Sequence, residues 1–266
     1  MPLLNKEKKE EIKKAIGSGD TSKIKEVRKK QPLAEVISKK DEKAASSTPS
    51  AVPAKKPTQE ELNEQLLEAV EGGVAQKVAD ALSAGADANA RDKDGIPALA
   101  NAVSSPEIVK LLLDTHADPN ARFRFFGSIL ERESIPVLSY AAHEGELGTV
   151  DLLLNAGARV DERDSEDFTA LMLASVRGWE ETVERLLKAH ADPKAKIPNG
   201  QDSLMLAAQC QFQLSSTKVA RMLIKAGADP HATNSEGGSA LKWAKFYKHR
   251  EMIDLLKAAR RGVRLD

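Results

Sequence analysis

A three-residue motif that recurs along the chain limits its fold more than any other feature. The motif reads Gly or His, then Ala, then Asp or Arg. Its five copies are Gly85-Ala86-Asp87, His116-Ala117-Asp118, Gly157-Ala158-Arg159, His190-Ala191-Asp192 and Gly227-Ala228-Asp229. The central alanines are 31, 41, 33 and 37 residues apart. Self-similarity at a period of about 20 to 50 residues is typical of solenoids, in which each unit stacks on its neighbours.

Each copy of the motif is preceded by two apolar segments with helical spacing. In the segment nearer the motif, apolar residues recur at i, i+3 and i+4, as in Ile108, Leu111 and Leu112, which predicts one buried helix face. The earlier segment combines leucine with small residues, as in Leu171 to Ser175, and small side chains let neighbouring helices approach closely. The Gly or His of the motif takes the C-cap position, where glycine adopts a left-handed conformation without steric cost.

The combined pattern resembles ankyrin repeats, in which a T-P-L-H helix, a Gly turn, a V-x-L-L helix and G-A-D-V-N-A follow one another. One clear copy runs from Phe168-Thr169-Ala170-Leu171 through Gly178 to His190-Ala191-Asp192-Pro193, and the resemblance covers roughly residues 60–260. It implies a mainly α solenoid of helix-turn-helix units with β-hairpin-like fingers, in about six repeats. The histidine of T-P-L-H is absent, and its positions hold Ala100, Ser139, Met172, Met205 and Lys242.

Irregular spacing marks three places where the repeat departs from the family pattern. In the shortest interval, only residues 104–107 separate the two helices of one repeat, so that turn has lost residues. The longest interval contains an eight-residue insertion around residues 123–132. In the interval of 37, residues 209–218 replace the usual tight turn, and we expect a longer turn there.

The chain divides into three parts by composition. Residues 59–266 are predicted to form the ankyrin-repeat domain. Residues 1–39 are predicted to form a separate helical segment, whose apolar spacing parallels the first repeat and is consistent with a degenerate ankyrin-like hairpin. Residues 40–58 are rich in Ser, Pro and Lys, which predicts a flexible linker.

The net charge of zero conceals a strong asymmetry along the chain. Residues 1–56 carry 15 basic and 8 acidic side chains, residues 57–237 carry 17 and 29, and residues 238–266 carry 8 and 3. Such a field steers charged partners. The basic start is compatible with nucleic acid or an anionic membrane, but its lysines alternate with glutamates and it has no aromatic residues for base stacking. We therefore favour a solvated helix face there and do not expect nucleic acid as a partner.

Sequence signals for catalysis and for cofactor binding are absent. There is no phosphate-binding glycine loop, and His143-Glu144 begins like a zinc-protease helix but has Leu147 where the second histidine belongs. The single cysteine, Cys210, excludes an internal disulfide and fits a reducing compartment. The charged start predicts no signal peptide, and no window is apolar enough to span a membrane. We expect a cytoplasmic protein without catalytic activity, cofactor, metal or small-molecule substrate.

The resemblance places partner binding on the fingers and inner helices, because relatives generally bind proteins on the concave face that these elements line. Carried onto this sequence, the predicted partner-binding residues are Arg91, Lys93, Ile96, Phe123, Arg124, Phe125, Phe126, His143, Arg163, Phe168, Arg177 and Trp179. Aromatic and arginine side chains dominate interface hot spots. The three phenylalanines of the insertion either grip a partner or fold back onto their own array. Trp243, Phe246 and Tyr247 are expected to pack as a cap rather than form a site.

These features predict a non-catalytic protein-binding module, an adaptor or assembly subunit that is monomeric until it is complexed. One alternative is an inhibitor or immunity-type protein that covers a partner enzyme, with the acidic middle of the chain over a basic active site. Another is a tether to nucleic acid or to an anionic membrane through residues 1–56.

Overall fold

The computed structural model describes residues 56–126, 131–210 and 213–263. The elements in these ranges are α1 (Gln59–Glu71), α2 (Ala75–Ser83), α3 (Ala98–Asn101), α4 (Pro106–Asp114), β1 (Arg122–Phe126), β2 (Glu131–Pro136), α5 (Val137–Glu144), α6 (Leu147–Asn155), α7 (Ala170–Arg177), α8 (Glu180–Lys188), α9 (Ser203–Ala207), α10 (Gln213–Lys225), α11 (Ala240–Phe246) and α12 (Arg250–Arg260). The helices form six consecutive pairs, which confirms the predicted solenoid. The helical segment predicted at 1–39 and most of the linker predicted at 40–58 lie outside the described residues.

The odd-numbered helices are the inner helices of the repeats, and they begin at caps that the sequence supplies. Thr58 and Glu61 form a reciprocal capping box at the start of α1. Side chains of Thr169, Asp202 and Ser239 accept hydrogen bonds from the first turns of α7, α9 and α11. These three residues occupy the threonine position of the family's T-P-L-H motif, so the caps fix the repeat register.

A residue with left-handed backbone conformation follows the C-cap of outer helices α2, α4, α6, α8 and α10. The Gly or His of the recurring motif has φ of 102°, 69°, 88°, 65° and 103° in the five copies. These residues lie one position beyond the cap residue of their helix, for example after Thr115 and Ala189, rather than at the C-cap as the sequence suggested. The two histidines have positive φ, a backbone conformation that residues other than glycine rarely adopt.

One continuous core runs along all six repeats. Inner helices pack on the neighbouring inner helices, as α7 does on α5 and α9, and outer helices pack on outer helices. Small residues of the inner helices, such as Ala142, Ser175 and Ala207, are fully buried, which permits the close approach expected from the sequence. Each repeat therefore depends on its neighbours to bury its apolar faces.

The insertion in the longest interval forms an extended β-hairpin finger. In two ordinary fingers the paired residues are Arg91 with Pro97 and Lys196 with Asp202, six positions apart. In the long finger, Arg122 pairs with Pro136, fourteen positions away, and β1 and β2 continue the antiparallel ladder. The eight additional residues predicted from the spacing are therefore in the finger.

The other two irregular intervals change helix lengths. Inner helix α3 has only four residues, and Pro106 at the first position of α4 follows it closely. The expectation of a longer turn at residues 209–218 is wrong in part, because α10 already begins at Gln213. It has thirteen residues against nine in α8, so much of the extra length adds a turn to the outer helix.

Candidate functional site

Three arginines at equivalent finger positions connect each finger to the next, and we call Arg91, Arg122 and Arg163 the arginine ladder. Arg91 Nη1 donates to the carbonyl of Gly95 in its own finger at 2.7 Å and to that of Arg122 at 2.9 Å. Arg122 Nη2 donates to the carbonyl of Arg163 at 2.7 Å. Arg163 Nη1 donates to the carbonyls of Asp167 and Lys196, both at 2.9 Å. Four successive fingers are thereby held in one register.

A second series of contacts joins the same repeats through side-chain oxygens. Asn89 Oδ1 accepts from the backbone N–H of Asp118 at 2.8 Å. One repeat further on, Asn120 Oδ1 accepts from the N–H of Arg159 at 2.9 Å. In the next repeat Asp161 Oδ1 accepts from the N–H of Asp192 at 3.0 Å. Two independent sets of hydrogen bonds therefore oppose rotation of one finger relative to its neighbour.

The long finger is fastened to the finger that follows it by Arg132. The guanidinium donates from Nε to Asp164 Oδ2 at 2.7 Å and lies 2.9 Å from Glu166 Oε1. Its Cζ also lies 4.8 Å from the centre of the Phe168 ring, a cation–π arrangement. The side chains of Arg132 and Asp164 are 9% and 0% exposed. Burial of this charge pair makes the long finger a fixed part of the surface.

The aromatic residues of the long finger pack on inner helix α5. Phe123 is 5% exposed, and its ring meets the Tyr140 ring edge-on at 5.4 Å between centroids. Phe125 is half-buried, with its centroid 4.9 Å from that of Tyr140. The interpretation that the rings fold back onto their own array therefore holds for Phe123, which is too buried to grip a partner. Phe125 keeps an accessible edge, and the Phe126 side chain lies outside the described part.

Burial also affects the phenol against which these rings pack. Burial of Tyr140, followed by the negative charges of Glu144 and Glu146, raises the pKa of its phenol to about 12. The ring is therefore neutral at ordinary pH. A neutral phenol suits the position of Tyr140 on inner helix α5, against the apolar base of the long finger.

Three residues predicted as partner contacts come together at the ends of α5 and α7. Trp179 Nε1 donates to the carbonyl of His143 at 2.8 Å, and Arg177 Cζ lies 5.9 Å from the Trp179 ring. The Trp179 ring covers Gly145, where an added Cβ would lie only 2.7 Å from it. His143 is buried, whereas Trp179 is 37% exposed. The indole thus links two repeats and still presents apolar surface to solvent.

The remaining predicted residues lie on the fingers with different exposure. Lys93 is exposed at the tip of its finger, and Ile96 packs partly against the core. Arg124 is exposed on the long finger and pairs with Glu133. Phe168 is half-buried beneath Arg132. Arg91 and Arg163 are exposed as well as tied into the ladder, so partner binding by them stays a prediction.

A surface that the sequence interpretation assigned to cap packing is exposed in the last repeat. Phe246 is 71% exposed and Tyr247 is 41% exposed. Their rings meet edge-on with 5.0 Å between centroids, and the Trp243 ring meets the Phe246 ring edge-on with 6.2 Å between centroids. No further inner helix follows α11 in the part of the chain that the structure describes.

A family model that describes three copies of the ankyrin repeat matches residues 66–164 and again residues 138–234. The two matches together span well over half of the chain. The chain belongs to the ankyrin-repeat family. Ankyrin repeats generally mediate protein–protein interactions and are typically non-catalytic modules. None of the helices that the structure describes in this ankyrin-repeat protein is long and apolar enough to cross a membrane.

Relatives of this ankyrin-repeat protein share its repeats over part of their length. An ankyrin repeat-containing protein of Treponema pallidum (strain Nichols) is 31% identical over 151 residues, which are 56% of this chain and 47% of the relative. Human ankyrin repeat domain-containing protein 63 is 34% identical over 107 residues, which are 40% of this chain and 28% of the relative. The chain therefore spans at most about half the length of these curated relatives.

A solved structure shares the repeat architecture over most of the chain. The crystal structure of an ankyrin repeat domain from Acinetobacter baumannii AYE superposes with a TM-score of 0.65 at 27% sequence identity. The superposition covers 75% of this chain and 98% of that domain. The stacking of helix pairs in this ankyrin-repeat protein is thus that of an experimentally determined relative.

Proposed function

We propose that the chain is a non-catalytic adaptor or assembly subunit that holds a partner protein on its fingers and inner helices. The observation that carries the proposal is the double linkage of successive fingers, through the arginine ladder and through the Asn and Asp side chains of the same repeats. Fingers already held in register lose little conformational entropy when a partner binds. Pre-organisation of this kind favours affinity.

Exposed and half-buried side chains on this surface have the composition of protein-binding sites. Arg124, Phe125 and Trp179 combine arginine with aromatic surface, the types that most often dominate binding energy. The surplus of acidic residues over residues 57–237 supports the second candidate, an inhibitor that covers a basic active site of an enzyme.

Charge-reversal variants of the full chain test the proposal. Lys93→Glu with Arg124→Glu changes two exposed finger residues, whereas Lys77→Glu with Lys110→Glu makes the same charge change on outer helices α2 and α4. Each protein is used as bait in cell extract, and captured proteins are identified by mass spectrometry. The finger variant should lose partners that the wild-type and outer-helix variants both retain, because only the finger change reaches the proposed surface.

The basic start of the chain provides the competing explanation. A chain without residues 1–58 should keep the same partners if the fingers bind them. Loss of every partner in the truncated chain, together with normal capture by the finger variant, would show that residues 1–58 bind the partners and that the repeats serve only as a spacer. Circular dichroism melts of all baits check that lost capture does not reflect unfolding.

We also propose a cytoplasmic location. Cys210 is buried, at 2% exposure, and a chain with one thiol and no disulfide fits a reducing compartment. Fractionation of cells that express the tagged full chain tests this. Recovery of the chain outside the cytoplasmic fraction would contradict it.

A further inference from the structure

The exposed surface of the last repeat combines aromatic rings with lysines, and we call Lys242, Trp243, Lys245, Phe246, Tyr247 and Lys248 the basic aromatic patch. Lys242, Lys245 and Phe246 lie at i, i+3 and i+4 of α11 and thus share one helix face. All three are exposed, and Phe246 is the most exposed large apolar side chain among the described residues. An apolar ring flanked by cations on one face is a surface for a ligand with both apolar and anionic groups.

The positive charge of the patch is not neutralised by nearby carboxylates. Lys242 Nζ donates to the carbonyl of Gly237 at 2.6 Å and forms no salt bridge with a carboxylate of the described ranges. Among the residues that the structure describes, Lys245 and Lys248 have no carboxylate within 4.0 Å. Helix α12 begins just beyond Lys248, and its first turn carries one acidic residue, Glu251.

Two candidate occupants are disfavoured by charge. Residues 1–56 of this chain carry seven more basic than acidic side chains, so they are repelled by the patch rather than attracted to it. Residues 57–237 carry a surplus of twelve acidic side chains. A long polyanion or an anionic membrane would extend from the patch over this acidic array and be repelled by it. The occupant must keep its negative charge within a short length.

We propose that the basic aromatic patch binds a short acidic peptide segment of a partner protein. A large apolar side chain of the segment packs against Phe246 and Tyr247, and flanking carboxylates pair with Lys242, Lys245 and Lys248. This contact lies on α11, the inner helix of the last repeat, so it rests on the proposed function and names the chemistry of one partner segment. It involves none of the finger residues, so its test can fail while the finger surface still binds a partner.

Fluorescence anisotropy with the full chain tests the proposal. The probe is a labelled peptide of Asp and Glu residues around a central Phe, and the control peptides carry the corresponding amides or replace the Phe with Ser. The acidic peptide should bind more weakly as salt is added, and each control peptide should bind at least about tenfold more weakly. Equal binding of the acidic and amide peptides would overturn the proposal.

Matched variants place the binding on the patch. Phe246→Ala, and separately Lys245→Glu with Lys248→Glu, should each weaken binding of the acidic peptide about tenfold or more. Lys93→Glu with Arg124→Glu should leave it unchanged, which separates this result from failure of the finger surface. Unchanged binding by the patch variants would refute the assignment. Tighter binding of a thymidine oligonucleotide or of phosphatidylserine vesicles than of the acidic peptide would also overturn it.

Discussion

Replacing Phe123 with alanine removes a ring that is 5% exposed and meets Tyr140 and Phe125 at centroid distances of 5.4 and 6.3 Å. Substitution of buried phenylalanine by alanine costs about 3–5 kcal/mol of unfolding free energy. We expect a value near the lower limit, about 3 kcal/mol, because the finger can partly close over the cavity. For a domain of this size that loss lowers the melting temperature by about 6–12 °C.

The same substitution at Phe246 is a matched control, because that ring is 71% exposed. Its removal should change the unfolding free energy by less than about 0.5 kcal/mol. Urea unfolding of wild type and both variants, followed by circular dichroism and by tryptophan fluorescence, measures the difference. Agreement of the two signals is required because repeat arrays do not always unfold in one step.

The reasoning is refuted if the Phe123→Ala variant unfolds at the same urea concentration as the wild type. That result would mean that the ring contributes nothing to the core and is available to a partner. A loss at Phe246 as large as the loss at Phe123 would refute the exposed position of the basic aromatic patch.

Three further changes have outcomes set by local geometry. Gly145→Ala should lower the unfolding free energy by about 2 kcal/mol or more, because Gly145 has φ 78° and the new Cβ would meet the Trp179 ring. If the clash is the cause, Gly145→Ala should cost less in a Trp179→Ala background than in the wild type; an equal cost in both backgrounds would contradict it. His190→Gly should raise the urea midpoint, by about 0.5–1 kcal/mol in unfolding free energy, because it relieves a left-handed residue at φ 65°; a lower midpoint would show that the imidazole contributes a contact. In a Tyr247→Phe variant the phenolate absorbance of Tyr140 should appear with a midpoint near pH 12 rather than 10. The Tyr140 phenol ionises near pH 10 in the unfolded chain and near pH 12 in the folded chain, so folding stability is unaffected by this group below pH 10 and falls as pH rises from 10 towards 12. An absorbance midpoint near pH 10 in the folded protein would contradict the burial of Tyr140.

The repeat itself could be predicted because its information is local and periodic. The left-handed Gly or His, the capping residues and the apolar helix faces each recur in register, and the eight-residue insertion followed from spacing alone. The extra length before Lys218 was harder to assign, because a long turn and a longer helix give the same spacing. Only backbone geometry shows that α10 begins at Gln213.

The site was predicted less completely, for two physical reasons. Arg91, Arg122 and Arg163 occupy equivalent positions, but their acceptors are main-chain carbonyls, which leave no pattern in the side chains of the receiving finger. The exposure of Phe246 depends on which helices surround α11, and residue type does not report it. Phe123 was left undecided for the same reason, since an aromatic finger can close on its own array or on a partner.

The arginine ladder has a consequence for how this surface can change during evolution. Its acceptors are peptide carbonyls, which every amino acid carries, so the link from one finger to the next is indifferent to most residues at the fingertips. Substitutions at an exposed tip residue such as Lys93 can therefore accumulate without loosening the spacing between fingers. A lineage can exchange one binding partner for another while its descendants inherit the same rigid frame.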